Sequence, residues 1–336
     1  MTTTDAALPG LTIIVLSRNR RELLRGCIES LFAQEDPGIP LEFIVVDDGS
    51  HDGSAGMARS LTAARPQWRT VAQEHLGIAA ARNAGIRNSR SEWLAIVADD
   101  YLLPADYART VALFFRDQPQ ARVVRFKVVP EGGGFVGGVL HAYQEASVTR
   151  RLAGGARGAD WRGMWRRRPA VTGITADHGL EAAGAAAFHR DVFQRLGGFD
   201  ETFARGEDTD FTRRLRAAGI AVYYSPHLLV RHRSDPSLRQ AMKNAFAGGR
   251  ASWRLHAPAD GRPAGVPAIL LLGLRSGLLA LYWSCWRAWL TGNAARFFLY
   301  LPVLFLVEAS ARAGFLSGCI RSRKKGPAPL PGPAAR

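Results

Sequence analysis

The sequence predicts an α/β protein: a doubly wound, mostly parallel sheet flanked by helices, followed by an apolar helical segment. Three observations carry that expectation. Phe43-Ile44-Val45-Val46 and Trp93-Leu94-Ala95-Ile96-Val97 are uninterrupted apolar runs, the pattern of strands covered on both faces. Each ends in paired carboxylates, Asp47-Asp48-Gly49-Ser50 and Asp99-Asp100, and open α/β sheets bind ligands just beyond the carboxyl ends of their strands. Strand patterns also alternate with helical spacing over short connections, which is the rhythm of a doubly wound fold.

Residues 11–16 form the first expected strand, running into the polar Ser17-Arg18-Asn19-Arg20. Leu23, Leu24, Ile28, Leu31 and Phe32 recur at helical spacing across 21–34, and Pro37 and Pro40 punctuate the next loop. The segment 52–65 reads as a helix, 70–72 as a short strand, 78–88 as a helix and 93–97 as a strand. A helix over 107–117 and a strand over 121–129 follow Pro104. The stretch 131–138 is glycine-rich, and 150–168 holds seven arginines with Trp161 and Trp165 among them. That insertion reads either as a solvated segment or as a loop that closes over a phosphorylated ligand or touches anionic lipid. A strand over 184–188 and a helix over 191–196 come next. Gly206-Glu207-Asp208 then opens a helix to 218, where carboxylates suit the N-terminal dipole. Two short strands, 221–225 and 228–231, end the α/β part.

Lys and Arg outnumber Asp and Glu by 44 to 29, a net charge of +15 that favours anionic partners. Cys27, Cys285 and Cys319 have neither zinc-ligand spacing nor a disulfide framework, which fits a reducing compartment. Met1-Thr2-Thr3-Thr4-Asp5 lacks a basic-then-apolar pattern, so no secretory signal is expected.

Beyond about residue 258 the composition turns apolar. Residues 266–290 are interrupted by Arg275 and Arg287 and carry Trp283, Trp286 and Trp289, and 297–307 is apolar again. Crossing a bilayer takes about 20 apolar residues. These segments read as a helical hairpin in a membrane surface, with the basic residues 321–325 at the anionic cytoplasmic leaflet. Two core helices packed on the main domain or another subunit are the alternative. The expected division is 1–257 for the α/β domain, including an insertion at about 131–178, then 258–320 for the hairpin and 321–336 for a basic, Pro-rich tail.

Paired carboxylates at a strand end can hold a hard divalent cation or a sugar hydroxyl, and the same residues also make turns and helix caps. Their joint order is more telling. Residues 12–20, 44–50, Gly77-Ile78-Ala79-Ala80-Ala81-Arg82-Asn83-Ala84-Gly85, 97–104, 184–200 and 206–214 together resemble the family 2 glycosyltransferases of the GT-A fold, over roughly 11–232. The resemblance implies that Ser17 and Arg18 lie beside the nucleotide base and that Asp48 accepts a hydrogen bond from base or ribose. It implies that Gly77 and Arg82 line the nucleotide pocket, with Asp99 on the ribose or sugar. Asp100 would coordinate Mg²⁺ or Mn²⁺ on the diphosphate, with His232 completing the metal shell. Asp208 would be the general base, with Glu207, Trp161 and Trp165 on the acceptor side. Three positions depart from the usual pattern: Ala98 replaces the first Asp of Asp-x-Asp-Asp, Leu16-Ser17-Arg18 replaces Pro-Thr-Tyr, and His75-Leu76-Gly77 replaces Asn-x-Gly.

The implied activity is metal-dependent, inverting transfer of a sugar from a nucleoside-diphosphate donor to a glycan or lipid-linked acceptor. Its expected place is the cytoplasmic face of the plasma membrane, in cell-surface polysaccharide or glycolipid synthesis. A catalytically inactive nucleotide-sugar or polysaccharide-binding scaffold is the alternative. The Gly-x-Gly-x-x-Gly turn of a nicotinamide oxidoreductase is missing after the first strand, as is the Gly-rich basic loop of a nucleotidyltransferase. No nucleic-acid partner is expected. The positive charge is concentrated in 150–168 and near the apolar tail, which a lipid-phosphate acceptor or membrane surface explains with one cause.

Overall fold

The computed structural model describes residues 8–132, 134–152, 173–176, 184–233, 235–256, 266–290 and 294–325. In chain order the first elements are β1 (Leu8–Ser17), α1 (Arg21–Phe32), β2 (Leu41–Asp48), α2 (Ser54–Thr62), β3 (Trp68–Gln73), α3 (Ile78–Asn88) and β4 (Ser91–Ala98). They are followed by β5 (Tyr101–Leu102), α4 (Tyr107–Asp117), β6 (Val123–Pro130), α5 (Phe135–Leu152), β7 (Ala185–His189), α6 (Asp191–Leu196), α7 (Glu207–Ala217) and β8 (Val222–His232). Three helices complete the described chain: α8 (Leu238–His256), α9 (Val266–Leu290) and α10 (Ala294–Lys325).

The eight strands form one sheet in the order β3-β2-β1-β4-β7-β6-β8-β5. The β3-β2-β1-β4 half is parallel throughout. The other half is mixed, because β7 runs against both β4 and β6 while β6 and β8 are parallel. Side chains alternate across a strand, and the two faces are covered by different helices. Ile13 and Val15 of β1 join Leu24, Ile28, Tyr107 and Val111 in one core. Ile14 and Leu16 join Ala81, Ala84, Phe188 and Phe211 in the other. Burying each large apolar side chain contributes about 1.5–3 kcal/mol, which explains why these runs contain no polar residue. Gly85 lets α3 lie against β1, since a Cβ there would come within 2.4 Å of Ile14 Cγ2.

One difference from expectation lies at the end of the α/β part. The two short strands expected over 221–231 are a single strand, β8, whose pairing with β6 slips between Phe126 and Lys127. Ser225 pairs with Phe126 and Leu229 with Lys127, so Pro226-His227-Leu228 bulges out. Proline has no N–H to give a ladder, and the bulge keeps the strand continuous around it.

Contacts divide the chain into two compact units. The α/β sheet and its helices make up the first. The second takes in residues 134–148 and everything described from 235 onward, α8 included. Its core is built from Val139, Ala288, Val303 and Leu304, with Val136, Tyr143, Leu238 and Tyr300 packed around them. Helices α8 and α10 approach closely: a Cβ on Gly249 would come within 1.8 Å of the Ala311 carbonyl oxygen, and one on Gly314 within 2.0 Å of that of Phe246. Among the described residues, one helix is long and apolar enough to cross a membrane, Ala295–Arg321, by length and composition only. Leu278, Leu281, Phe298 and Leu299 in this unit are exposed large apolar side chains. Trp161, Trp165 and most of the arginine-rich stretch lie outside the described residues.

Candidate active site

The chain winds from β1 through β2 to β3 on one side and then places β4 on the other side of β1. Adjacent strands whose connections leave in opposite directions open a crevice at their carboxyl ends. Ser17 ends β1, and Asp99 and Asp100 directly follow β4 at that crevice. The Ser17 hydroxyl donates to Asp99 Oδ2 at 2.8 Å. Asn19 takes the left-handed conformation, φ 53°, which Asn tolerates better than most residues. Its N–H donates to Ser50 Oγ and its Oδ1 accepts from the His51 N–H, both at 2.8 Å. This reversal leaves Arg18 exposed and turns Arg20 back over the crevice. The two arms of the Arg20 guanidinium reach Asp99 Oδ1 at 2.8 Å and Asp100 Oδ2 at 2.7 Å. His232, opposite Tyr101 in the β5–β8 pairing, places Nε2 3.3 Å from Asp100 Oδ2.

The two carboxyls are driven apart. Burial pushes Asp99 up to about 6 despite the Arg20 cation and the Ser17 hydrogen bond. Burial also acts to raise Asp100, but the His232 hydrogen bond and the Arg20 cation outweigh it and hold the group below the usual carboxylate range. The donor types suit a divalent cation, because the Asp100 carboxylate and the His232 imidazole stand side by side, 3.3 Å apart. A hard ion that keeps positions for phosphate oxygens and water needs only one or two protein ligands. Among the described residues no group of three or more His, Cys, Asp or Glu forms a closed metal cage.

Asp48 is committed to the loop that follows β3. Its carboxylate accepts from Gln73 Nε2 at 2.8 Å, from the Leu76 N–H at 2.9 Å and from the Gly77 N–H at 3.1 Å, and it meets His75 Nδ1 at 2.8 Å. Burial would raise this carboxyl, yet these hydrogen bonds together keep it below its ordinary value. Gly77 has φ 98°, which lets the backbone turn its N–H into Asp48 just before α3. The neighbouring Asp47 is buried, and its Oδ1 has no hydrogen-bond partner among the described residues.

A second carboxylate pair stands at the first turn of α7. Glu207 is buried in an ion pair with Arg82 of α3, both side chains at most 7% exposed. The Arg82 guanidinium also lies over the Phe199 ring, 5.1 Å from its centroid. Asn83, next to it, accepts from the Phe199 N–H and donates to the Phe199 carbonyl, both at 2.8 Å. Asp208 is half-buried, and its Oδ1 accepts from the Thr209 N–H at 2.7 Å. Burial, and then the Glu207 charge, push its carboxyl above the usual range, against the Arg82 cation.

Tyr101 directly follows Asp100 and is buried. Burial raises its phenol, as does Asp100, while Arg125, Arg82 and Arg20 act in the opposite sense. Arg125, buried on β6, is lowered by burial, against the charges of Tyr101, Tyr224 and Asp208. The structure therefore brings Ser17, Asp99, Asp100 and His232 into one cluster, Arg82, Glu207 and Asp208 into a second, and Asp48 with Gly77 into a third. The linear reading missed Arg20, Tyr101, Arg125 and Asn83. One signal did exist for Arg20. Two adjacent carboxylates at a buried strand end demand a cation, and Ser17-Arg18-Asn19-Arg20 ended the neighbouring strand.

Comparison with known proteins gives this arrangement a context. The chain is 27% identical to EpsH of Bacillus subtilis (strain 168) over 165 residues, 47% of each protein. It is 30% identical to the succinoglycan biosynthesis protein ExoO of Rhizobium meliloti (strain 1021) over 145 residues, 43% of this chain and 39% of ExoO. It thus spans about half the length of these curated relatives or less. Among solved structures, the mannosyltransferase PcManGT from Pyrobaculum calidifontis, in complex with GDP-Man and Mn²⁺, superposes with a TM-score of 0.52. That likeness covers 89% of this chain and 87% of PcManGT at 19% identity, and it shows a shared GT-A fold. The glycosyl transferase family 2 pattern matches residues 12–197, the stretch that carries β1 to β4 and both members of the Asp99–Asp100 pair, and the chain belongs to that family.

Proposed function

We propose that this protein transfers a sugar, with inversion, from a nucleoside-diphosphate donor to the hydroxyl of a glycan or lipid-linked acceptor in cell-surface polysaccharide or glycolipid synthesis. The observation that carries the reading is the convergence of Ser17, Arg20, Asp99, Asp100 and His232 at the β1/β4 crevice. Asp208 stands at a second carboxylate pair, next to the buried Arg82–Glu207 ion pair.

In this reading the donor lies across the carboxyl ends of β1 and β4. Asp99, held by Ser17, faces the ribose or sugar. Asp100 and His232 hold Mg²⁺ or Mn²⁺, which when bound neutralises the charge developing on the departing diphosphate. Ser17, Arg18, Asp48, Gly77 and Arg82 shape the nucleotide side. Asp208 removes the proton from the acceptor hydroxyl as the new C–O bond forms at the anomeric carbon and the bond to phosphate oxygen breaks. A base facing the leaving group across that carbon makes a single in-line displacement, hence inversion. The raised carboxyl of Asp208 suits this task, because a general base works best when its pKa is close to the working pH. Glu207, with Trp161 and Trp165, belongs to the acceptor side.

The long apolar helix Ala295–Arg321 and the exposed Leu278, Leu281, Phe298 and Leu299 support attachment to a membrane. The +15 charge suits its anionic cytoplasmic face. Nothing in this reading calls for a nucleic-acid partner.

The test is thermal stabilisation by UDP-, GDP- and dTDP-sugars, each with and without Mn²⁺. Metal-dependent stabilisation by one donor, lost in Asp100→Ala, is expected. A flat response to every donor, with and without Mn²⁺, would favour the inactive scaffold instead.

A further inference from the structure

Arg20 has a role that the metal-site reading does not include. Of the four oxygens of Asp99 and Asp100, three are already engaged by protein groups. Asp99 Oδ2 accepts from Ser17, Asp99 Oδ1 meets one arm of Arg20, and Asp100 Oδ2 meets both the other arm and His232. The guanidinium spans the two carboxylates, one arm on each, rather than gripping a single one with both. Two adjacent carboxylates whose side chains are 3% and 10% exposed require a cation close by. A divalent ion would supply that charge at the same oxygens. Arg20 supplies it from the protein itself, and Asp100 Oδ2 is the atom both would use. The Arg20 side chain is 38% exposed, so it can leave the crevice without opening the core. Ala98 stands directly before the pair, so no third carboxylate is present there to share the load between Arg20 and a metal.

We propose that Arg20 is the resident counter-cation of the Asp99–Asp100 pair and competes directly with the divalent metal. Arg20 keeps the empty site electrically satisfied and suppresses metal binding to the protein alone. Phosphate groups draw the guanidinium off the carboxylates, so the metal enters together with the diphosphate rather than ahead of it. This inference rests on the reading that Asp100 holds the metal.

The experiment is Mn²⁺ binding to the full-length protein, measured by equilibrium dialysis as protein-bound ion in excess of a protein-free blank, alone and with inorganic pyrophosphate. Wild type should bind Mn²⁺ weakly alone and at least about tenfold more tightly with pyrophosphate, the scale of a typical coupling between two ligands. Arg20→Met should bind Mn²⁺ alone at least about tenfold more tightly than wild type, with most of the pyrophosphate coupling lost. Adding Asp100→Asn to Arg20→Met should abolish that gain. Arg20→Lys keeps the charge and loses the fork, and it should fall between wild type and Arg20→Met. It also serves if the methionine variant fails to fold. Equal Mn²⁺ affinity in wild type and both Arg20 variants would overturn the role of Arg20 while leaving the metal reading intact. No Mn²⁺ binding by any variant, with or without pyrophosphate, would overturn both.

Discussion

Replacing Asp208 by Asn separates the proposed chemistry from the fold. Asp208 Oδ1 accepts the Thr209 N–H at 2.7 Å and lies 3.4 Å from Thr209 Oγ1. An Asn side chain keeps an oxygen acceptor for the Thr209 N–H in the first turn of α7. The folded-state carboxyl is pushed up by burial and by Glu207. An acid raised in this way stabilises the fold most when protonated and loses that contribution as the pH rises through its folded pKa. At neutral pH ionised Asp208 therefore works against folding, and neutral Asn does not. Asp208→Asn should be as stable as wild type at pH 7, or more stable. Its turnover should nonetheless fall by about 10²–10⁴-fold, the usual contribution of a general base, or roughly 3–5 kcal/mol in the barrier. The assay pairs kcat for sugar transfer with urea unfolding and the donor Kd on the same preparations. Turnover within about threefold of wild type, against the 10²-fold minimum expected of a base, would refute the assignment. So would an activity loss matched by a loss of stability, since the residue would then be structural.

Other outcomes follow from the same geometry. Arg82→Met strands the buried Glu207 charge and should cost about 3–5 kcal/mol of stability in urea unfolding, whereas Arg82→Met with Glu207→Leu should recover most of it. The acid limb of the kcat/KM profile should reflect a carboxyl titrating above the ordinary range, with activity lost as the pH falls through it. Glu207→Gln removes a neighbouring negative charge and releases the Arg82 cation, so it should move that limb to lower pH, and an unmoved limb would count against Asp208. Phe298→Ser with Leu299→Ser, both positions exposed, should leave the melting temperature unchanged and reduce flotation with anionic vesicles. Undiminished flotation would move the membrane contact elsewhere in the chain.

Much of the α/β unit was legible because its central strands are apolar on both faces. The pattern of Ile13 through Leu16 admits a strand sandwiched between two cores and little else. Helices α3, α4 and α6 match their expected bounds for a related reason: a glycine, a proline loop or a short turn stands on either side of them. The single strand β8 looks like two in the linear pattern because Pro226 resembles an end there. Its missing N–H falls in a bulge, and only the pairing of β6 on either side reveals the continuity. The carboxylate pair was legible from its place at the end of a strand. Arg20 was not, because its partners lie 79 and 80 residues away and its direction depends on one left-handed residue, Asn19. Without that turn, Arg18 would be the natural choice for the crevice, and the structure shows it exposed instead.

The pairing of Asn83 with Phe199 bears on how such a protein can vary. The side-chain amide of Asn83 meets the N–H and the carbonyl of residue 199 much as a neighbouring strand would, so α3 pins the chain at one fixed mark. Gly198 sits so tight against it that a Cβ would come within 2.4 Å of Asn83 Oδ1. Only residues 200–206 then separate the mark from α7 and Asp208. A change of length in an upstream loop leaves the span from residue 199 to the first turn of α7 unaltered. A single residue inserted between 200 and 206 has no such buffer and would displace the first turn of α7, where the proposed base Asp208 stands. The fold thus leaves a short span, residues 200–206, between the residue that Asn83 holds and the first turn of α7.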